Sequence, residues 1–142
     1  MAEIHLEKYY EVEAARIWER IEDFFEIHTW LPIAESTERD EIRADVRRVT
    51  QVGGGTIVEQ LVAQSARDRS IRYRIIGGDA PFRDFEGMIV VHEAAEPGRA
   101  IVTWDVTFRT DATEDEVVAL LRTALEEGLE EMGKIKGGGH VQ

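Results

Sequence analysis

The chain has 142 residues, of which 43% are apolar and 32% are charged, and its formal net charge is -12. This length predicts one domain, and the acidic balance argues against nucleic acid as a partner, because phosphate binding needs a concentrated cationic surface. The chain has no cysteine, which excludes disulfides, a thiol nucleophile and a cysteine-ligated metal.

Targeting and membrane signals are missing from the sequence. Its start, MAEIHLEKYY, lacks a long apolar stretch, and no apolar run approaches the ~20 residues of a membrane span. We therefore expect a cytoplasmic protein without membrane insertion. The sequence does not define its oligomeric state.

The N-terminal part predicts one strand followed by two short helices. Alternating apolar side chains across residues 4–12 indicate a strand with one buried face. Apolar residues at three- and four-residue spacing across 14–25 indicate an amphipathic helix of about three turns. A second short helix is expected to end before Pro32, since the residue before a proline disfavours helical geometry.

The middle of the chain predicts a series of short strands separated by turns. The predicted strands are residues 34–39, 45–52, 56–64, 69–76, 83–94 and 99–109. Gly53-Gly54-Gly55 can supply the positive φ angles of a tight hairpin, and Glu96-Pro97-Gly98 closes the last one. Consecutive strands with short links indicate an antiparallel meander.

The last element is an amphipathic helix. Thr113 and Glu116 have the spacing of a capping box. One predicted apolar stripe consists of Val117, Leu120, Leu121, Ala124, Leu125, Gly128, Leu129 and Met132. We assign residues 1–136 to a single domain and expect 137–142 to be a flexible, glycine-rich tail.

These elements predict an α+β fold in which a curved, seven-stranded antiparallel sheet wraps around the C-terminal helix. Such a sheet has to bury its concave face, and the long amphipathic helix is the one predicted element large enough to cover it. Where sheet and helix diverge, we expect a cavity, which is a common kind of small-molecule site.

Short sequence matches in a fixed order cover about residues 4–136. They are A-x-x-I-W-x-x-I-x-D-F from Ala14, W-x-P from Trp30, VRRVT from Val46, VEQL from Val58, IRYRIIGG from Ile71, DFEGMIVVHE from Asp84 and VTWDVTF from Val102. In these matches the chain resembles the helix-grip (START-like, SRPBCC) superfamily, and most closely its bacterial polyketide cyclase/dehydrase-like proteins. The superfamily also includes the birch pollen allergen, START lipid-transfer domains and plant abscisic-acid receptors.

The stretch from Glu59 to Glu93 is similar to the abscisic-acid receptors, but two of their loops differ here. Val52-Gly53-Gly54-Gly55 stands in place of their longer gate loop, and Ala80-Pro81-Phe82 stands in place of their His-Arg-Leu latch. The resemblance therefore does not imply a hormone-gated partner. Leu31 occupies the position at which many cyclase-like relatives have histidine.

Glu59 is the first candidate for chemistry, because the matching glutamate of the receptors lines their cavity. If it points inward, the period of two places Ile57, Leu61 and Ala63 on the same face. An acid at an apolar wall could act as a general acid or base. A glutamate on the outer surface of the strand is the alternative.

Tyr73 and Arg47 are the other catalytic candidates. A phenol at a cavity wall can donate a proton or orient a carbonyl, although Tyr73 could equally serve only for packing. The resemblance favours Arg47 rather than Arg48 at the wall, where it could hold Glu59 ionised or bind a ligand carboxylate or enolate. An exposed strand arginine is the alternative.

The remaining candidates are apolar or small residues expected along the cavity wall, with Gly87 leaving room for a ligand. On the last strand the apolar pattern favours Trp104 inside, whereas alignment to the receptors points Asp105 inward. Burial of an unpaired acid costs more, so we favour Trp104. The candidate ligand-binding residues are Trp30, Ile57, Leu61, Ile75, Phe85, Gly87, Ile89, Trp104, Leu121, Leu125 and Gly128.

Other site chemistry has little support in the sequence. His28 lies near the expected entrance, but the histidines are too scattered for a metal site, and we predict neither a metal nor a cofactor. There is no Ser-His-Asp arrangement and no phosphate-binding loop.

Three functions remain open. The first is binding or carriage of a hydrophobic small molecule such as a polyketide, an aromatic compound or a lipid. The second is a cyclase or dehydratase in which Glu59, Tyr73 and Arg47 move protons. The third is a protein-interaction module that has no small-molecule chemistry.

Overall fold

The computed structural model describes residues 1–135. The predicted tail at 137–142, together with the last residue of the predicted domain, Lys136, lies outside the described residues. The strands are β1 (Ala2–Tyr10), β2 (Ala34–Arg39), β3 (Val46–Gln51), β4 (Thr56–Ser65), β5 (Ser70–Gly78), β6 (Arg83–Glu93) and β7 (Ala100–Arg109). The helices are α1 (Ala14–Ile21), a 3₁₀ helix (Phe24–Thr29) and α2 (Glu114–Met132).

The sheet has seven strands in the order β1-β7-β6-β5-β4-β3-β2, and each neighbouring pair is antiparallel. Strands β2 to β6 each pair with the next strand along the chain, so the predicted meander is confirmed. The first strand adds to the far edge beside β7. The predicted α+β class and the seven-stranded antiparallel sheet with a C-terminal helix are therefore both confirmed.

Alternating side chains of β7 form the centre of the core. Trp104, Val106 and Phe108 are each at most 1% exposed, and Asp105 between them is exposed. The apolar interpretation of this strand is confirmed, and the receptor-like orientation of Asp105 is wrong. Full burial of such side chains contributes roughly 1.5–3 kcal/mol each, which explains why the apolar pattern determines the orientation of the strand.

Helix α2 packs against this core through its C-terminal half. The buried residues of the helix are Val117, Leu125, Gly128, Leu129 and Met132. Gly128 permits a close approach, because a Cβ atom there would lie 2.7 Å from Leu31 Cδ1 and 3.3 Å from the Trp104 ring. The predicted apolar stripe of α2 is only partly buried, since Leu120 is 75% exposed.

The start of α2 differs from the sequence prediction. Thr113 is the N-cap residue, but its side chain makes no capping hydrogen bond, so the predicted capping box does not form. The first turn instead carries three acidic residues, which interact favourably with the positive end of the helix dipole. Within the described chain, neither α-helix has both the length and the apolar character of a membrane span.

Candidate ligand-binding cavity

A cavity of about 300 Å³ lies between the sheet and the N-terminal half of α2. Most of its wall is apolar, with a small number of polar groups. The lining residues are Ile27, Leu31, Ile33, Val49, Gln51, Ile57, Glu59, Tyr73, Ile75, Asp79, Ala80, Pro81, Phe82, Phe85, Trp104, Val117, Leu120, Leu121, Ala124 and Leu125. Its position is the one expected from the divergence of sheet and helix.

The loop between β5 and β6 forms one side of the cavity mouth. Asp79 is hydrogen-bonded to the start of β4 in both directions: its Oδ2 accepts from the Thr56 amide at 2.9 Å, and its own amide donates to the Thr56 carbonyl at 2.7 Å. Phe82 packs against Phe85 and Phe108, with ring centroids 5.1 and 5.0 Å apart. Both ends of this short loop are therefore fixed to the sheet.

Glu59 lies at the cavity wall and forms a buried ion pair with Arg47. Arg47 lies opposite it on β3 and donates from Nε and Nη2 to Glu59 Oε1, at 2.7 and 2.6 Å. The third guanidinium nitrogen, Nη1, donates to the Phe24 carbonyl at 2.5 Å, and the guanidinium lies 3.7 Å from the centre of the Phe24 ring. The pair is almost fully buried, since Arg47 is 3% and Glu59 8% exposed.

Arg47 therefore does not reach the cavity. Each of its three guanidinium nitrogens already has an acceptor, and the residue is not part of the lining. The structure places Arg47 in direct contact with Glu59, as a buried ion pair. It contradicts the expectation that Arg47 binds a ligand carboxylate or enolate.

Tyr73 lies on the next strand and lines the same cavity. Its hydroxyl oxygen accepts a hydrogen bond from Trp104 Nε1 at 3.0 Å. Burial raises the pKa of this phenol far above its ordinary value, and the negative charge of Glu59 raises it further. The phenol is thus protonated at neutral pH, and no acceptor within residues 1–135 takes its proton. Tyr73 can therefore donate a hydrogen bond into the cavity.

Gly87 has a different role from the predicted one. It pairs with Tyr73 across β5 and β6, and a Cβ atom on Gly87 would lie 2.5 Å from Tyr73 Cζ. The tyrosine ring occupies the space that the absent side chain leaves. The expectation that Gly87 leaves room for a ligand is wrong: it leaves room for Tyr73.

The structure brings together most, but not all, of the candidate residues. The predicted residues that line the cavity are Glu59, Tyr73, Ile57, Ile75, Phe85, Trp104, Leu121 and Leu125. The predicted residues that do not line it are Arg47, Trp30, Leu61, Gly87, Ile89 and Gly128.

Packing explains why several candidates lie away from the cavity. Trp30 packs against Trp104, with ring centroids 5.7 Å apart, and Gly128 lies against the same two rings. Ile89 is buried in the core opposite Ile71. The Leu61 side chain is only half-buried, because an irregularity between Leu61 and Ala63 interrupts the alternation of β4.

The wall residues that sequence reasoning missed come mainly from connecting segments and from the exposed end of α2. They include Ile27, Leu31, Ile33, Val49, Gln51, Val117, Leu120, Ala124 and the loop residues 79–82. Three of them, Val117, Leu120 and Ala124, belong to the predicted apolar stripe of α2. The loop residues carried no periodic signal, because a turn has no regular inward face.

The described lining of the cavity contains no histidine. His28 is half-buried outside the lining, and its Nδ1 lies 2.9 Å from Thr37 Oγ1. In the part of the chain that the structure describes, no group of three or more His, Asp and Glu residues could hold a metal ion.

Comparison with known proteins agrees with this fold. The sequence model of a family described as polyketide cyclase / dehydrase and lipid transport matches residues 1–134. The structure is similar to protein XoxI from Bacillus cereus, with a TM-score of 0.90 and 24% identity over 99% of this chain and 100% of that chain.

Two further solved structures share the fold. An uncharacterized protein from Bacillus thuringiensis has a TM-score of 0.85 and 24% identity over 93% of this chain and 96% of that chain. A protein from Nitrosospira multiformis has a TM-score of 0.79 and 18% identity over 96% of this chain and 98% of that chain. No curated protein sequence matches the chain. At these identities the structural likeness shows the fold alone.

Proposed function

Because the chain belongs to the polyketide cyclase/dehydrase and lipid transport family, we propose that it binds a hydrophobic small molecule between the sheet and α2. The observation that carries this proposal is the cavity itself, a largely apolar space in which Glu59 and Tyr73 are the polar groups of the inner wall. Ligand pockets characteristically combine an apolar lining with a small number of placed polar groups.

The size of the cavity favours a compact ligand. Its volume of about 300 Å³ is at the lower end of the roughly 300–1,000 Å³ of small-molecule pockets. A molecule of one or two fused rings suits this space better than a long acyl chain. Leu120 at the exposed mouth and Trp104 at the buried end give such a molecule apolar contacts along its length.

Binding can be tested with the uncharged dye N-phenyl-1-naphthylamine, whose fluorescence rises in apolar surroundings. We expect saturable binding to the full chain, with one dye per chain by native mass spectrometry. Ala124→Phe should abolish it by filling the lined space. Ala119→Phe is the matched control, since Ala119 is exposed on the same helix and outside the lining. Equal dye binding by the two variants would contradict the proposal.

Acid–base catalysis of the cyclase or dehydratase kind is a second candidate, favoured by one specific arrangement. Glu59 is a carboxylate that receives the hydrogen bonds of Arg47 on one oxygen only, and Tyr73 is a phenol whose proton has no acceptor within residues 1–135, so one group can accept a proton and the other can donate one. The enclosed wall could also orient a flexible poly-β-ketone for ring closure.

This candidate is tested by turnover of a short poly-β-ketone thioester. Glu59→Gln and Tyr73→Phe should each lower the rate of ring closure by roughly 10²–10⁴-fold if they move protons. Dye binding in the same variants shows whether the cavity persists. Unchanged turnover in both variants, with dye binding retained, would remove the catalytic role and leave binding.

A further inference from the structure

We infer that the cavity selects compact ligands that carry a hydroxyl group and rejects ligands that carry a carboxylate. This inference rests on the proposed function and names the chemical class of its ligand.

The charges on the wall are the first observation. The described lining residues include two acids, Glu59 and Asp79, and no lysine, arginine or histidine. A carboxylate that leaves water needs a cation or several hydrogen-bond donors to replace its hydration. The wall offers it the Tyr73 hydroxyl and the amide of Gln51 as side-chain donors, and no positive charge.

Arg47, the nearest buried cation, is not available to a ligand. Its nitrogens donate to Glu59 and to the Phe24 carbonyl, and the guanidinium lies behind the glutamate rather than on the cavity surface. A ligand carboxylate would meet the negative charge of Glu59 before it met Arg47. Like charges at close range in a desolvated site repel each other strongly.

Glu59 has an acceptor left for a ligand. Both hydrogen bonds from Arg47 go to Oε1, and no group within residues 1–135 donates to Oε2. Tyr73 faces the same cavity from the neighbouring strand and has a free proton. A ligand hydroxyl can donate to Glu59 and accept from Tyr73, whereas a carboxylate has no proton to donate.

The negative charges at the cavity mouth also disfavour a carboxylate ligand. Asp79 is exposed at the mouth, and the first turn of α2, directly before the lining residue Val117, carries Glu114, Asp115 and Glu116. The whole chain has a formal net charge of -12. This field lowers the local concentration of anions and so disfavours their entry.

The test compares three ligands built on one ring system, namely naphthalene, 2-naphthol and 2-naphthoic acid. Each displaces N-phenyl-1-naphthylamine from the full chain at neutral pH. We expect 2-naphthol to bind at least about tenfold more tightly than 2-naphthoate and severalfold more tightly than naphthalene, since hydrogen bonds to a charged group exceed neutral ones. Equal or tighter binding of the naphthoate would overturn the inference while leaving the proposed function intact. Absence of dye binding would overturn both.

The role of Glu59 is tested in the double variant Arg47→Met with Glu59→Met, which removes the pair without leaving an unpaired buried charge. In this variant 2-naphthol should lose most of its advantage over naphthalene, since only Tyr73 still bonds to the hydroxyl. Glu59→Gln, which keeps an acceptor, should retain part of the advantage. A double variant that prefers 2-naphthol as strongly as the parent chain would show that Glu59 does not receive the hydroxyl.

Discussion

Arg47 and Glu59 face each other across β3 and β4, and two nitrogens of the arginine donate to one oxygen of the glutamate. Glu59 lines the cavity and Arg47 lies behind it, and both are almost fully buried. Because the attraction between such charges only offsets their loss of hydration, the pair is most consequential when one partner is missing. The remaining charge is then buried without a counterion.

Replacement of Arg47 alone should therefore cost more than replacement of both partners. We expect Arg47→Met to lower the free energy of unfolding by about 3–5 kcal/mol, and the double variant with Glu59→Met to be more stable than this single variant. Urea denaturation of the parent chain, both single variants and the double variant gives the coupling energy. Additive effects of the two substitutions would show that the pair does not act as a unit.

Gly87→Ala should destabilise the protein although alanine is small. The added Cβ would lie 2.5 Å from Tyr73 Cζ, so the phenol ring or the strand has to shift. Overpacking of this kind costs about 1–3 kcal/mol. Gly77→Ala is the matched control, because a Cβ there meets Val58 at an ordinary 3.7 Å. Thermal unfolding that ranks the two variants equally would contradict this account.

The sequence predicted the architecture well because turn residues mark the ends of the elements, and periodic patterns indicate which side chains point inward. Trp104 illustrates this, since its alternation with polar neighbours on β7 gave the correct inward face. The inward position of Glu59 came instead from family resemblance, because a lone acid in a strand does not reveal its side.

Features that depend on how neighbouring strands pair could not be predicted from the sequence. The role of Gly87 depends on its pairing with Tyr73, and register cannot be obtained from either strand alone. The irregularities at Glu59 and Leu61 change which side chains of β4 point inward, and they too depend on the pairing with β5. The contact of Arg47 with Glu59 was expected from the family resemblance, whereas its bond to the Phe24 carbonyl in the 3₁₀ helix has no sequence signature.

Tyr73 should make stability fall at alkaline pH. Its pKa is raised by burial in the folded state, whereas in the unfolded chain a tyrosine ionises near pH 10. Below this pH both states hold the proton and stability does not depend on it. Above it the unfolded chain releases the proton first, so the free energy of unfolding decreases by up to about 1.4 kcal/mol per pH unit for this residue.

Urea denaturation between pH 9 and pH 11 checks this sign. Tyr73→Phe should show a shallower decrease than the parent chain above about pH 10. The variant should also be less stable at neutral pH by about 1–3 kcal/mol, because buried Trp104 Nε1 loses its acceptor. Identical pH slopes would show that the Tyr73 phenol is not held protonated by the fold.

His5 reports the outward orientation of Asp105. The hydrogen bond to Asp105 Oδ1, 2.5 Å from His5 Nδ1, raises the pKa of the histidine above its ordinary value, and the charge of Asp105 adds to this. NMR titration should therefore place the His5 midpoint above about 6.5. Asp105→Asn should lower it more than Glu7→Gln, because Glu7 Oε1 is 3.6 Å from the ring. A midpoint that is insensitive to Asp105 would contradict the orientation of β7.

Asp79 should control how quickly a ligand leaves the cavity. Its carboxylate accepts from the Thr56 amide, and its backbone amide donates to the Thr56 carbonyl, so the side chain supplies one of two bonds that close the loop onto β4. In Asp79→Ala that bond is lost, and a net contribution of about 1 kcal/mol corresponds to a roughly fivefold shift towards open loop conformations. Asp79→Asn keeps an acceptor oxygen and is the matched control.

The effect appears in two measurements. Hydrogen exchange at the Thr56 amide should be severalfold faster in Asp79→Ala than in Asp79→Asn, because only the alanine variant leaves this donor to water. Dissociation of N-phenyl-1-naphthylamine, followed by stopped-flow fluorescence, should accelerate in the same order, since the loop residues Ala80, Pro81 and Phe82 line the mouth. Faster amide exchange without faster dissociation would mean that the ligand leaves past α2 instead, on the side of exposed Leu120.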